Sequence, residues 1–519
     1  MMAMGSVVML SEVRAVKAWA GARVALHSRL DRVLDGLEET MKDRPPRLED
    51  ITREVLGIRD QITGELAKAL VERQHTAELA GGRAPCPNCG FLIAARPPVR
   101  RTLDTMVGRI EISRPYFYCV PCRLGFSPLD EALGLAPGQK QYDLQRAGAR
   151  LAAEVPYDIA KDLFQELTGQ SLSTDRMHGV VNEMGAGLAV LDVAPSRAEI
   201  EARIAWMATD PIRRPILVLG IDGANIPTRP EAARGGRAGG KRIRANRAHW
   251  QGEWREVKGF RLYLVNGRRI LHLLSWHQVQ NNEELFESLA AIKQAGLIPE
   301  ERVRLCVVAD GAHWIWNGVH ELFPDAREIL DYYHCSEAVH ELAGLKFADE
   351  GAAREQEWVE ATMASLYEGE VDSVVRGLRR MRDLRPAVAE RIEDLAGYLD
   401  NNKGRIDYGF DRRGGYPLGS GGIESANKFI CHTRMKRSGA WWYTSNSNHM
   451  LALRCARYNG TFDQVSALHQ ERTRSKPHVQ GDARKPRCRT ELRENVVSVP
   501  GRPSLRLVIP GDAQIVRIS

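Results

Sequence analysis

No apolar run in the 519 residues approaches membrane-spanning length, and the opening MMAMGSVVML lacks the basic flank of a secretory signal. These absences predict a cytoplasmic protein with no membrane partner. A disulfide framework is also missing: the nine cysteines are odd in number, and four of them form two close pairs. That pattern predicts metal binding in a reducing compartment. Neither sign of charge dominates, the net being +7 with a pI near 8.9, so the places where positive charge clusters matter more than its total. With 43% hydrophobic residues the chain is neither disordered nor fibrous, and its length allows several domains around a sizeable core.

What is present begins with two apolar runs that each end in Asp-Gly. Arg214 to Gly223 (RPILVLGIDG) and Val303 to Gly311 (VRLCVVADG) have the length and bounding residues of buried strands. A carboxylate at the end of a buried strand needs a compensating partner. Two strands that bring Asp222 and Asp310 to one sheet edge would make an all-oxygen site for Mg²⁺. Between them, Val257 to Val265 and Arg269 to Trp276 predict a hairpin turning at Asn266-Gly267, followed by a helix from Asn282 to Ala295. A fifth strand ends at Asp331-Tyr-Tyr-His334. Three strands, a helix, a strand, a helix and a strand form the skeleton of a ribonuclease H-like fold, which calls for a third acid on a later helix. A charged helical block, Glu355 to Leu399, reads as an inserted domain. Beyond it, Gly419-Ser-Gly-Gly-Ile-Glu424 opens a new helix whose glycines allow close backbone approach and whose first turn favours an acid. The ordinary role of Glu424 is an i,i+4 pair with Lys428. Its place after the fifth strand makes it the third acid instead.

The remaining segments read as accessory modules. Residues 1–80 form a charged helical region broken at Pro45-Pro46, a packing or oligomerisation arm or a contact to DNA ends. In residues 81–130, Cys86-Pro-Asn-Cys89 and Cys119-Val-Pro-Cys122 have the spacing of a four-thiolate structural Zn²⁺ ribbon, and nearby arginines (Arg96, Arg100, Arg101, Arg109, Arg114, Arg123) predict a touch on phosphate. Residues 131–205 have a helix-turn-helix outline, Tyr157 to Gly169 and then a helix to Met184 capped by Ser173 or Thr174. The core spans 212–334 and 414–462, split by a helical insertion at 335–413. A Gly-rich basic loop, Thr228 to Arg247, carries Lys241, Arg242 and Arg244 beside the acids, suited to DNA or else an inert insertion. His313, Trp314, Trp316, Trp441 and Trp442 are expected to pack in the core rather than stack on bases. Cys335, Cys431, Cys455 and Cys488 are expected to be buried thiols. Residues 463–519 read as a basic solvated tail, with Ser504 to Ile509 and Gln514 to Ile518 as a terminal hairpin.

Asp222-Gly, Asp310-Gly-Ala-His-Trp-Ile-Trp-Asn, Asp331-Tyr-Tyr-His334, and Gly-Ser-Gly-Gly-Ile-Glu424 followed by Arg434-Met-Lys-Arg-Ser-Gly-Ala-Trp441-Trp442 resemble, in this order, a DDE transposase of a bacterial insertion sequence. The resemblance is greatest to the ISKra group and more distant to the Mutator-like transposases, and it runs from the cysteine pairs to about Phe462. It implies Asp222, Asp310 and Glu424 as an acidic triad holding two Mg²⁺ (or Mn²⁺) ions, with Asp331 and His334 in support. It also implies double-stranded DNA as partner, both element ends and target, and a homo-oligomer that pairs two ends in association with the nucleoid. Cys431 stands where some groups carry a basic residue, so Lys428, Arg434 or Lys436 would contact DNA instead. A zinc-ribbon DNA-binding protein without strand transfer and a stand-alone nuclease remain alternatives.

Overall fold

The structure is a computed structural model, and it describes residues 10–40, 42, 47–78, 82–210, 213–231, 236–238, 241–243 and 252–474. Two proline-free segments form the long helices α1 (Leu10–Thr40) and α2 (Leu48–Glu78), joined by an Arg29–Glu65 ion pair at 3.1 Å. Helix α2 sets Ala67 and Val71 against a small apolar cluster of Leu103, Ile110 and Ile112. That cluster belongs to five short or hairpin-forming strands: β1 (Arg83–Pro85), β2 (Leu92–Ala94), β3 (Arg96–Thr105), β4 (Gly108–Cys119) and β5 (Leu124–Phe126). Strands β1 and β2 pair antiparallel, as do β3, β4 and β5.

Five helices follow: α3 (Pro128–Ala132), α4 (Tyr142–Glu154), α5 (Tyr157–Thr168), α6 (Thr174–Gly185) and α7 (Arg197–Met207). Helix α5 stops at Gly169, which takes the left-handed φ of 72° that glycine adopts without steric cost, and Ser173 caps α6 by accepting from the Arg176 N–H at 3.3 Å. The helix hairpin therefore forms as expected. It is not a separate module, however, because Leu144, Phe164, Met177, Met184 and Ile200 share one apolar core with the central sheet.

That sheet is built from β6 (Ile216–Arg229), β9 (Glu253–Asn266), β10 (Arg269–Gln278), β11 (Arg304–Ala309) and β12 (Arg327–Leu330), with β7 (Gly236–Ala238) and β8 (Lys241–Ile243) as a small separate hairpin. Its order is β10-β9-β6-β11-β12; β9 runs antiparallel to both of its neighbours, β10 and β6, while β11 and β12 run parallel to β6. Strand side chains alternate between faces, so an apolar run such as Ile216 to Ile221 is buried on both. Leu217, Leu219 and Ile221 pack with α8 (Asn282–Gln294), α9 (His313–Leu322) and the helical module. Ile216 and Val218 pack on the other side with α10 (Tyr332–Lys346), α11 (Ala352–Tyr367), α12 (Val371–Arg380), α13 (Pro386–Asn401) and α14 (Tyr408–Gly414). The insertion is thus the cover of one sheet face and shares its core, where the sequence suggests an independent inserted domain.

The chain returns through α15 (Gly421–Asn427), a π-helical turn (Lys428–His432), α16 (Thr433–Met435), β13 (Trp442–Tyr443), α17 (Thr444–Asn459) and α18 (Phe462–Arg474). Strand β13 pairs with the far end of β6 at Trp442–Thr228. Helix α18 corrects the expected tail: Phe462, Val465, Ser466 and His469 are buried, so residues 463–474 belong to the folded body. The rest of that segment, with its expected terminal hairpin and Cys488, lies outside the described residues. Among the described residues no helix is long and apolar enough to cross a membrane.

Candidate active site and thiol cluster

Register brings the strand-end acids together. Val308 pairs with Gly220 and Ala309 with Leu330, and the same parallel registers continued put Asp310 level with Asp222 and Asp331 at one edge of the sheet. Burial first, and then the charges of Asp310 and Glu424, push the Asp222 carboxyl up to about 6, against the Gly223 N–H bond and His334, which act in the opposite sense. Asp310, Glu424 and His334 thus all lie near enough to Asp222 for their charges to bear on it. The carboxylates do not close up as a set to within 4.8 Å of one another. Each has an oxygen tied down: Asp222 Oδ1 accepts from the Gly223 N–H at 2.7 Å, Asp310 Oδ1 from the Ala312 N–H at 3.0 Å, and Glu424 Oε1 from the Ser420 hydroxyl at 2.6 Å.

Two glycines let α15 reach this edge. A Cβ on Gly220 would lie 2.9 Å from Ile423 Cβ, and one on Gly422 would lie 2.5 Å from the Tyr263 ring. Asp331 is fully buried and serves as an anchor: it caps α10 by accepting from the Tyr333 and His334 N–H groups at 2.6 and 3.1 Å, and it accepts from the Ser420 N–H. The end of β12 is therefore fastened to the residue before α15. His334 is half-exposed, with Nδ1 3.4 Å from Glu337. The insertion reaches the site as well, because Tyr398 of α13 packs on Gly311, where a Cβ would meet its ring at 2.4 Å.

Three residues that sequence reasoning missed as functional stand behind Asp222. Asn427 donates from Nδ2 to Asp222 Oδ2 at 2.7 Å and accepts at Oδ1 from His277 Nε2 at 3.0 Å. Gly259 pairs with Asp222 on one side and with His277 on the other, and its missing side chain leaves the space in which this bridge forms. Asn427 carried a signal, being one helical turn after Glu424 and on the same face. His277 carried none.

Of the aromatic residues after Asp310, Trp316 is buried as expected and donates from Nε1 to the Asp310 carbonyl at 2.9 Å, Trp314 is partly buried against the core, and His313, against expectation, is exposed at the start of α9. Trp442 is likewise buried, bonded to the Met435 carbonyl at 3.1 Å. Cys335, Cys431 and Cys455 are buried thiols, and burial pushes Cys335 up to about 11 and Cys431 to about 12.

The four ribbon cysteines meet. Among the described residues Cys86, Cys89, Cys119 and Cys122 are the group whose ligand atoms all lie within 4.8 Å, an arrangement that could hold a metal ion. Each pair sits in the loop of a short hairpin, β1–β2 or β4–β5, and the residue after each second cysteine is left-handed: Gly90 at φ 71° and Arg123 at φ 50°. The matching loops turn two sulfurs of each pair inward. Asn88 Nδ2 adds a bond to Cys122 Sγ at 3.3 Å.

The expected DNA-contacting residues divide. Lys428 and Lys436 are exposed beside α15. Arg434 is not: it is buried between the Tyr157 and Trp442 rings and donates to the Ala152 carbonyl at 2.9 Å, so it is a packing residue rather than a phosphate contact. Lys241 and Arg242 fall on β8, and Arg244 lies outside the described residues. Of the arginines near the cysteine pairs, Arg101 and Arg114 are held on Asp130 and largely buried, whereas Arg109 and Arg100 pair with Asp104 and Glu111 but stay largely exposed. Helix α6 shows acidic Asp175 and Glu183 to solvent, Glu183 being paired with Arg176 at 3.0 Å. Compared with known proteins, the chain matches no family and no curated sequence.

Proposed function

We propose that the protein cuts and rejoins DNA as a DDE-type transposase of an insertion sequence, with Asp222, Asp310 and Glu424 as its acidic triad. The observation that carries this reading is the convergence of three acids, from two strands and a distant helix, on one sheet edge where each of the others raises Asp222. The strand order, three antiparallel strands followed on one side by two parallel to β6, supports a ribonuclease H-like reading of the mixed sheet.

The donor set fits a hard divalent cation: oxygen ligands only, on carboxylates whose mutual repulsion a cation would relieve. Mg²⁺ or Mn²⁺ ions at these three acids, two per site in this reading, would activate water or a DNA 3′-hydroxyl and stabilise the leaving oxygen. The protein's own part is to hold the acids still. Gly223, Ala312 and Ser420 each fix one carboxylate oxygen, and His334 favours the ionised form of Asp222. Lys428 and Lys436, exposed beside α15, would meet the DNA backbone. In the same reading Zn²⁺ fills the cysteine cluster in a structural role, and two or more copies pair the element ends.

The test is Asp310→Asn, assayed on DNA carrying the element ends. Both cleavage and joining are expected to vanish while DNA binding stays near normal. Retained cleavage or lost binding overturns the assignment. Wild-type protein that cuts without joining 3′ ends to target DNA would be a nuclease instead.

A further inference from the structure

One level of the sheet reads His277, Gly259, Asp222 from β10 through β9 to β6. Asn427 descends from α15 onto the bare backbone of Gly259 and bridges the two side chains. The proton directions are fixed by elimination. A carboxylate only accepts, so the amide of Asn427 turns its Nδ2 to Asp222; its carbonyl oxygen then faces His277, which must carry its proton on Nε2. The imidazole is wholly buried, and His277 Nδ1 has no hydrogen-bond partner. A buried polar atom left unpaired is costly, so the presence of His277 in this position calls for a physical reason.

The backbone shows how His277 comes to face this way. From the Asn266-Gly267 turn the hairpin pairs regularly up to His272–Tyr263, and then a bulge at Leu273 shifts the register by one residue. Had Leu273 taken its place in a regular ladder instead of bulging out, His277 would pair with Lys258 and its ring would point to the opposite face. Asn459 holds the bulge in place, accepting from the Ser275 N–H at 2.8 Å and donating to the Ser275 carbonyl at 3.0 Å.

We propose that Asn427 and His277 are positioning residues for Asp222: the imidazole orients the amide, and the amide fixes Oδ2 of the carboxylate so that Asp222 meets the metal in one geometry. This rests on the reading of Asp222 as a metal-holding acid. The two partners span different elements, so the contact also locks α15, and with it Glu424, onto the sheet at the level of the other two acids.

The experiment measures Mn²⁺ binding to the full chain by calorimetry, with thermal midpoints taken in parallel. Asn427→Ala is expected to raise the Mn²⁺ dissociation constant about 10- to 100-fold, the range found when an outer partner of a metal ligand is removed. His277→Leu, which keeps bulk but has no donor, is expected to do the same. His277→Gln, which returns an N–H near the Nε2 position, is expected to restore most of the affinity. A packing role predicts the reverse order for the last two, Leu tolerated and Gln not. Equal Mn²⁺ affinity in wild type and Asn427→Ala, with Asp222→Ala abolishing binding, would overturn the positioning claim and leave the site standing. Binding unchanged by Asp222→Ala would overturn both.

Discussion

Asp222 carries a cost that can be read from its surroundings. Its carboxyl is pushed from 3.8 up to about 6 by burial and by Asp310 and Glu424, so the folded protein keeps a proton there that the unfolded chain has already lost. Stability of the metal-free protein therefore falls as pH rises from about 4 to about 6, and the full penalty applies above that. Asp222→Asn removes the penalty and keeps one acceptor oxygen for either Asn427 or the Gly223 N–H, so the loss of the other bond offsets part of the gain. It is expected to stabilise the metal-free protein at pH 7.5 by on the order of 1–3 kcal/mol, and hardly at all near pH 4. Urea denaturation at the two pH values checks this; equal gains at both would refute it. Gly259 makes the complementary case. A Cβ there would lie 2.2 Å from His277 Cδ2, and the fully buried ring has nowhere to go. Gly259→Ala is expected to cost about 1–3 kcal/mol by overpacking, again measured by urea denaturation, and to weaken Mn²⁺ binding with it.

Between α15 and the helical module the connection is made by two buried arginines, Arg434 and Arg454. Arg454 donates from Nε to the Ile430 carbonyl at 2.7 Å and from its other nitrogens to the Phe429 and Ala153 carbonyls and, at 2.9 Å, to Thr433 Oγ1. The π-helical turn Lys428–His432 follows α15 directly, and Arg454 satisfies carbonyls within it while Arg434 and Arg454 together cover the carboxyl end of α4. Arg454→Met leaves those carbonyls buried and unpaired, and is expected to cost about 3–5 kcal/mol in a chemical denaturation measurement. A loss below about 1 kcal/mol would show that the turn holds itself. These arginines also mark how far local pattern carries. The Asp-Gly strand ends, the Asn266-Gly267 hairpin, the α6 cap and the cysteine loops were legible because each is decided within a few residues. Arg434 was not, since its acceptor Ala152 is 282 residues away and a lone arginine in a basic stretch looks like a surface charge. The turn of His277 toward Asn427 was hidden too, because it depends on a bulge that periodicity does not show.

At the scale of the whole molecule, segments that differ in composition share apolar cores. The helical module, the sheet and the return helices share one core, and the insertion shares the opposite face of the same sheet, because a sheet apolar on both sides needs cover on both. The cysteine module is the exception. Its own apolar clusters are small, Cys86, Cys119 and Leu124 in one and Leu103, Ile110 and Ile112 in the other, and neither merges with the sheet core. Clusters of that size do not stabilise a fold unaided, and an ion held by the four thiolates would supply most of what holds β1, β2 and β5 together. On the proposed reading, in which that ion is Zn²⁺, a strong chelator or replacement of Cys119 by serine is expected to release about one Zn²⁺ per chain and to open this module to protease between Arg83 and Phe126. The sheet core should survive, with its thermal transition little changed. A single transition shifted as a whole would mean that the ribbon and the sheet unfold as one unit, and zinc content unchanged by Cys119→Ser would remove the metal from the account.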